Sequence, residues 1–316
     1  MSDVRQLPLF PQQPASIGDL NRFSALRDTL ALFQQHLLRA GKSEHTVRAF
    51  TSDLLLLAEF TNEKTPVGRY TTDLLNQFMD WLENGRGVPC SRKSYARRVT
   101  TLKVYFKWLT ENHVLAHDPA KALLQRSGPA PLAVILSASE IERALAVARV
   151  MQRTLRGVSE RDTRPEMLFR LILDTGIKKN ETMELTARSI NRLNPQLPFL
   201  DIKHSKARDI YKERKIFLDP AWLALFDQYM AQYQPRERLI TCTSRNLEYI
   251  LEDIGKGAEI ETKISFEMLR WTCAVRDYVA GVEPDTIREK LGLSPISWYE
   301  TFAKTKRLAE LYIEES

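Results

Sequence analysis

The stretch from residue 265 to 302 limits what this chain can fold into more than any other. It reads as helix, turn, short helix, turn, helix. Apolar residues recur at Met268, Trp271, Val275 and Val279, a three-to-four spacing that predicts one buried helical face. Gly281 stops the first helix, and Pro284, Asp285 and Thr286 supply the start of the next. Arg270 lies inside the first helix among bulky neighbours. A cation there needs an anion to meet.

The chain around this stretch divides by composition. Residues 1–20 carry Pro8, Pro11, Pro14 and several Gln without periodicity, and they read as a disordered tail. Residues 21–124 read as a bundle of four helices. Leu26, Leu30, Phe33 and Leu37 mark the first; Ser43 opens the second; Thr71 to Asp73 caps the third; a fourth starts near Ser91. Gln125-Arg-Ser-Gly128-Pro129-Ala-Pro131 predicts a linker over 125–135. A second domain, 136–316, opens with the cap at Ser137 and an acidic Glu140. Helices are expected to about residue 153 and from Pro165 to Leu173. Strand character is confined to residues 199–203 and 215–218, which flank a basic hairpin tip. The expected fold is mainly α: an all-helical four-helix domain, then an α+β domain with a small antiparallel sheet.

The net charge of +6 is modest, so its placement matters more than its size. Arg86, Arg92, Lys93, Arg97, Arg98, Lys103 and Lys107 lie within one segment that has no acidic residue. Such a block repels itself and predicts contacts with phosphates, as of a nucleic acid. Its plainer reading is a solvated helix face.

The stretch 265–302 resembles the carboxy-terminal end of the tyrosine recombinases, the family of phage integrases and Xer-like proteins. That family carries His-x-x-Arg on one helix, a Leu-Gly-His/Trp turn, and a nucleophilic Tyr nine residues further on. The segment from the Ser43 helix to His117-Asp-Pro119-Ala120 resembles the family's core-binding domain. The resemblance implies an Arg, Lys, His, Arg, His/Trp, Tyr site in a clamp of two domains on double-stranded DNA. Here Thr175-Gly176-Ile177 is followed by Lys178, which keeps the charge of the first Arg but not its planar fork. Lys206 is the expected hairpin lysine, with Lys203 and Lys212 open as alternatives, and Arg208 adds a further cation at the tip. Arg270 matches the second Arg. Glu267 stands at the His, Leu293 at the His/Trp and Phe302 at the Tyr. An ionised carboxylate has no proton to donate, leucine cannot hydrogen-bond a phosphate, and phenylalanine cannot form a phosphotyrosyl bond.

The expected function is therefore DNA binding by a family member that no longer cleaves, in an architectural, site-recognition or regulatory role. One alternative is an active recombinase using Tyr299, one helical turn before Phe302; Tyr312 would need the tail to fold back. A protein-interaction scaffold is the remaining alternative. The C-terminal helix, which in the family docks on a neighbouring protomer, implies a DNA-dependent homo-oligomer. Gln6-Leu-Pro-Leu-Phe10 resembles peptides that dock on the bacterial sliding clamp, with Leu9 and Phe10 as anchors and Gln6 as the orienting hydrogen-bond partner. No cofactor or metal is expected. Cys90, Cys242 and Cys273 are scattered and read as buried free thiols. No apolar run spans a membrane and no signal pattern opens the chain, so a cytoplasmic, nucleoid-associated protein is expected.

Overall fold

The computed structural model describes residues 14, 16–88, 90–125, 131–155, 157–205 and 207–314. The chain divides into two compact units at Ala130/Pro131, each with its own apolar core.

The first unit holds helices α1 (Leu26–Arg39), α2 (Glu44–Thr61), α3 (Thr72–Asp80) and α4 (Arg92–Glu111). Ser43, Thr71 and Ser91 cap α2, α3 and α4 by accepting the backbone N–H three residues on, at 3.2 Å each. Each cap contributes about 1 kcal/mol. A π-helical turn, Trp81–Gly85, extends α3. Phe33, Leu54, Leu57, Phe78, Leu102 and Phe106 fill the core. Tyr105 is fully buried, and its hydroxyl meets the Thr29 hydroxyl at 2.6 Å. Thr72 donates to the Pro119 carbonyl at 2.8 Å, which holds the 117–120 segment against the bundle and buries Ala120.

The second unit is built around α6 (Thr163–Thr175), whose Met167, Leu168, Phe169, Leu171 and Ile172 are all fully buried. Such side chains contribute about 1.5–3 kcal/mol each. Around it lie α5 (Ala138–Val150), α7 (Lys179–Glu184), α8 (Trp222–Tyr233), α9 (Ser244–Gly257) and α10 (Phe266–Val279). The capping box expected at the start of α5 is present: Ser137 accepts from Glu140 N and Glu140 accepts from Ser137 N. Strands β3 (Ile190–Asn191), β4 (Phe199–Ile202) and β5 (Arg214–Phe217) form an antiparallel sheet in the order β3-β4-β5. Leu200, Ile202 and Ile216 turn inward from it. Helices α11 (Pro284–Lys290) and α12 (Pro295–Glu314) complete the unit.

Three expectations need correction. The helix before residue 153 stops at Val150, and β1 (Gln152–Leu155) and β2 (Val158–Arg161) then form an antiparallel hairpin. Strand β2 is exposed at every position, so no apolar alternation marks it. The hairpin is held by polar contacts: Arg153 pairs with Glu160 at 2.6 Å, and Arg161 reaches Glu166 on α6 at 2.6 Å. The buried face of α10 also differs from the expected set. Met268 and Val275 are buried, Trp271 is half-buried, and Val279 is 40% exposed. The inward face is completed by Leu269, Thr272 and Cys273. Of the three free cysteines only Cys273 is buried; Cys90 and Cys242 are half-buried.

No helix among the described residues is long and apolar enough to cross a membrane.

Candidate active-site cleft

Three turns of chain converge on one cleft in the second unit. Ser265 caps α10, accepting from Met268 N at 3.2 Å, and this sets Glu267 in the first turn and Arg270 one turn further along. The carboxylate at 267 thus has a local helical role, because a negative charge suits a helix N-terminus. The second turn is Gly176, which ends α6 in the left-handed conformation at φ +59. A Cβ there would lie 2.7 Å from Leu291 and 3.2 Å from Cys273, so the backbone passes where only glycine fits. The third is the turn at Leu291-Gly292-Leu293 between α11 and α12.

Arg270 bridges the second and third of these turns, donating from Nη1 to the Gly176 carbonyl and from Nη2 to the Leu291 carbonyl at 3.3 Å. Lys178 donates from Nζ to the Gly292 carbonyl at 3.2 Å. Beneath them lies a buried ion pair that sequence reasoning missed. Arg214 grips Glu181 with two parallel bonds of 3.0 and 2.9 Å, and also holds the Lys290 carbonyl at 2.7 Å. The Lys178 backbone N–H donates to the same Glu181 at 2.8 Å. Gly292 lies so near Arg214 that a Cβ would be 2.7 Å from Nη1.

The cleft itself encloses about 350 Å³ and brings together Lys178, Glu267, Arg270 and Leu293, four of the six positions singled out from sequence. Lys179, Trp271 and Thr301 line it too. Lys179 also pairs with Glu248 at 2.5 Å. Burial pushes the Lys178 ammonium below its usual range; Glu181 opposes this, while Arg270 and Arg214 add to it. Burial likewise pushes Arg270 down to about 10, against the pull of Glu181. Both charges thus sit in surroundings that disfavour them. An incoming anion would relieve that cost.

The remaining two positions behave differently. Phe302 turns inward, stacked on Trp298 at 5.3 Å and edge-on to Tyr278 at 5.8 Å. Tyr299 is 85% exposed. It therefore does not share the environment of Phe302, as the one-turn spacing suggested: Trp298 and Phe302, four residues apart, own the inner face. Tyr312 is half-buried in the cluster that packs Leu308 and Ala309 onto Val275. Lys206 lies outside the described residues, as do Gln6, Leu9 and Phe10, and the Arg208 side chain is not among those described. The two alternative lysines are both occupied by carboxylates: Lys203 with Glu213 at 3.2 Å and Lys212 with Asp209 at 2.5 Å.

In the first unit, the basic block on α4 splits into two groups. Arg97 pairs with Asp53 at 2.5 Å, and Arg98, only 9% exposed, lies 3.6 Å from the same carboxylate and donates to Cys90 Sγ at 2.7 Å. Thr101 donates to Asp53 at 2.8 Å. The acidic partner that the segment lacks comes from α2, so the charge of Arg98 is met inside the fold. Arg92 and Lys93 are exposed, and Arg86 and Lys103 are half-exposed.

The architecture defines a class: a four-helix unit, then a mostly helical unit with a small antiparallel sheet, whose glycine turns gather cations around one cleft. Comparison with known proteins agrees. Residues 30–113 match the family model described as phage integrase, N-terminal SAM-like domain. The tyrosine recombinase XerC of Lacticaseibacillus casei (strain BL23) is 25% identical over 284 residues, covering 85% of this chain and 91% of that protein. The XerC of Mycobacterium sp. (strain KMS) is 28% identical over 157 residues, 49% of this chain and 51% of that protein. Among solved structures, XerH site-specific recombinase bound to a palindromic difH substrate, a post-cleavage complex, has TM-score 0.67 at 16% identity, covering 93% of this chain and 91% of that one. A lambda integrase dimer bound to a COC' core site has TM-score 0.68 at 14% identity, covering 90% and 78%. The chain is thus similar to Xer-like tyrosine recombinases: its first unit matches the phage integrase SAM-like model, and its fold is that of the solved recombinases.

Proposed function

We propose that this protein holds duplex DNA through basic surfaces of both units and does not cleave it through a tyrosine. The observation that carries this reading is the pairing of a cationic cleft with a displaced nucleophile position. Lys178, Lys179 and Arg270 face one cleft, while Phe302 is packed against Trp298 and Tyr278 and Tyr299 looks into solvent. Positioned cations hold a phosphodiester by charge-assisted hydrogen bonds, and that part of the chemistry needs no nucleophile. Cleavage through a tyrosine needs a hydroxyl aimed at phosphorus, and Phe302 offers none. Arg92, Lys93, Arg86 and Lys103 would add backbone contacts from the first unit. DNA-bound XerH and lambda integrase support duplex DNA as the partner, and a role in site recognition or architecture during DNA recombination follows.

The apolar face of α12 is covered within the chain by α10, but Leu311 and Ile313 stay exposed at its end. Assembly of copies on DNA would use that end. Sliding-clamp docking through Gln6, Leu9 and Phe10 is an expectation of the sequence alone.

The test is duplex binding against salt. If several phosphates are neutralised, affinity falls steeply, by about 0.9 log unit per contact per tenfold rise in salt. Binding that is absent or insensitive to salt would defeat the reading.

A further inference from the structure

The cleft is larger and more apolar than a phosphate clasp requires. Its lining combines the cations Lys178, Lys179 and Arg270 with the apolar side chains Trp271, Leu291 and Leu293. Its volume of about 350 Å³ falls at the small end of ligand pockets, which span roughly 300–1,000 Å³ and combine an apolar lining with a few placed polar groups. With leucine at 293 and Phe302 packed on Trp298, the lining offers aliphatic and indole surface beside the cations. What fits is an anion that carries a flat apolar body.

We propose that this cleft is a nucleotide site: the cations take the phosphate, and the Trp271 and Leu293 side chains take the base. Glu267, on the same cleft, supplies an acceptor for a sugar hydroxyl or a base amino group. Arg270 and Lys178 are each tied to backbone carbonyls of the 291–293 turn, so the cations and the apolar lining are held in fixed relation. The ligand is either a free mononucleotide or the unpaired terminal nucleotide of a DNA strand. This inference rests on the phosphate-holding reading above and sharpens its ligand.

Calorimetric titration of the full chain with 2′-deoxyadenosine 5′-monophosphate and, separately, with inorganic phosphate tests it. The nucleotide is expected to bind at least about tenfold tighter, the margin that stacking one base on an aromatic side chain provides. Trp271→Ala should remove most of that margin, and Trp271→Phe should keep it. Leu293→Trp, checked for cooperative melting, should fill the cleft and abolish nucleotide binding. A duplex with one unpaired terminal dA, compared with a blunt duplex, separates the sources. A matching gain for the unpaired end assigns the site to DNA ends, and equal duplex affinities assign it to free nucleotide. A nucleotide that binds no tighter than phosphate, or a margin untouched by Leu293→Trp, would overturn the proposal. Duplex affinity measured in the same preparation tells the two failures apart: if it persists, only the nucleotide site is lost, and if it is absent the DNA reading goes too.

Discussion

Arg214→Met should destabilise the second unit more than any surface change, and the size of the effect follows from the geometry. Arg214 and Glu181 have side chains only 7% and 5% exposed. Their two bonds of 3.0 and 2.9 Å make a bidentate pair, and Arg214 also anchors the Lys290 carbonyl. Removing one partner of a buried pair strands the other charge, at a cost of about 3–5 kcal/mol. For a unit of this size that is roughly 6–20 °C of melting temperature. Burial pushes Glu181 up, but the Arg214 hydrogen bonds and charge outweigh it and hold the carboxyl below its ordinary 4.5. A depressed folded-state value means stability that is present above pH 4.5 and lost as pH falls through the folded value. Without Arg214 burial dominates and the sign reverses, so the gap between wild type and Arg214→Met should be wide at neutral pH and close on acidification. Urea denaturation at neutral pH and near the carboxylate range reads this directly. Adding Glu181→Met should recover most of the loss, because an apolar pair of similar volume is about as stable as a buried ion pair. A cost under about 1 kcal/mol at neutral pH, against the expected 3–5, would refute the reasoning. So would a double variant no better than the single one.

The Lys178→Met variant should be more stable than wild type near neutral pH, because burial and nearby Arg270 and Arg214 disfavour its charge. The gain should shrink as pH rises toward the unfolded value of 10.5, since folded wild type releases that proton first. The same variant should bind DNA with a salt slope shallower by about 0.9. Arg98→Ala should cost about 1–3 kcal/mol, since Asp53 keeps Arg97 and Thr101 but loses a second buried cation, whereas Arg92→Ala, at an exposed position, should cost less and weaken DNA binding; equal stability losses would show that the split of the α4 block is misdrawn. Gly176→Ala should cost about 1–3 kcal/mol through its positive φ and more through the Leu291 contact, and a neutral result in thermal melting would contradict the close approach.

Helix starts were plain in the sequence because their signal is local. A Ser or Thr before an apolar-periodic run marks Ser43, Thr71, Ser91 and Ser137, and all four accept the expected backbone N–H. The cleft was readable to the extent that it depends on motif spacing, which placed Lys178, Glu267, Arg270 and Leu293 together. Partners distant in sequence were not readable. Asp53 lies 44 residues from Arg97, and nothing within α4 announces it. Arg214 looks like one more cation in a basic hairpin, and only packing of α11 over β5 makes it a buried anchor. Helical phase left Tyr299 and Phe302 ambiguous, since they sit only about 60° apart on the wheel. The stack of Trp298 on Phe302 decides which one faces inward. The β1–β2 hairpin escaped notice because both faces of its second strand are polar or exposed.

The central claim is that the cleft holds phosphate without a working tyrosine. Incubation of the full chain with a nicked suicide duplex that traps any 3′-phosphotyrosyl adduct tests it most directly, with a duplex-binding control in the same samples. Binding without a covalent species, in wild type and in Tyr299→Phe alike, is the expected result. A covalent protein–DNA adduct that disappears in Tyr299→Phe would contradict the account.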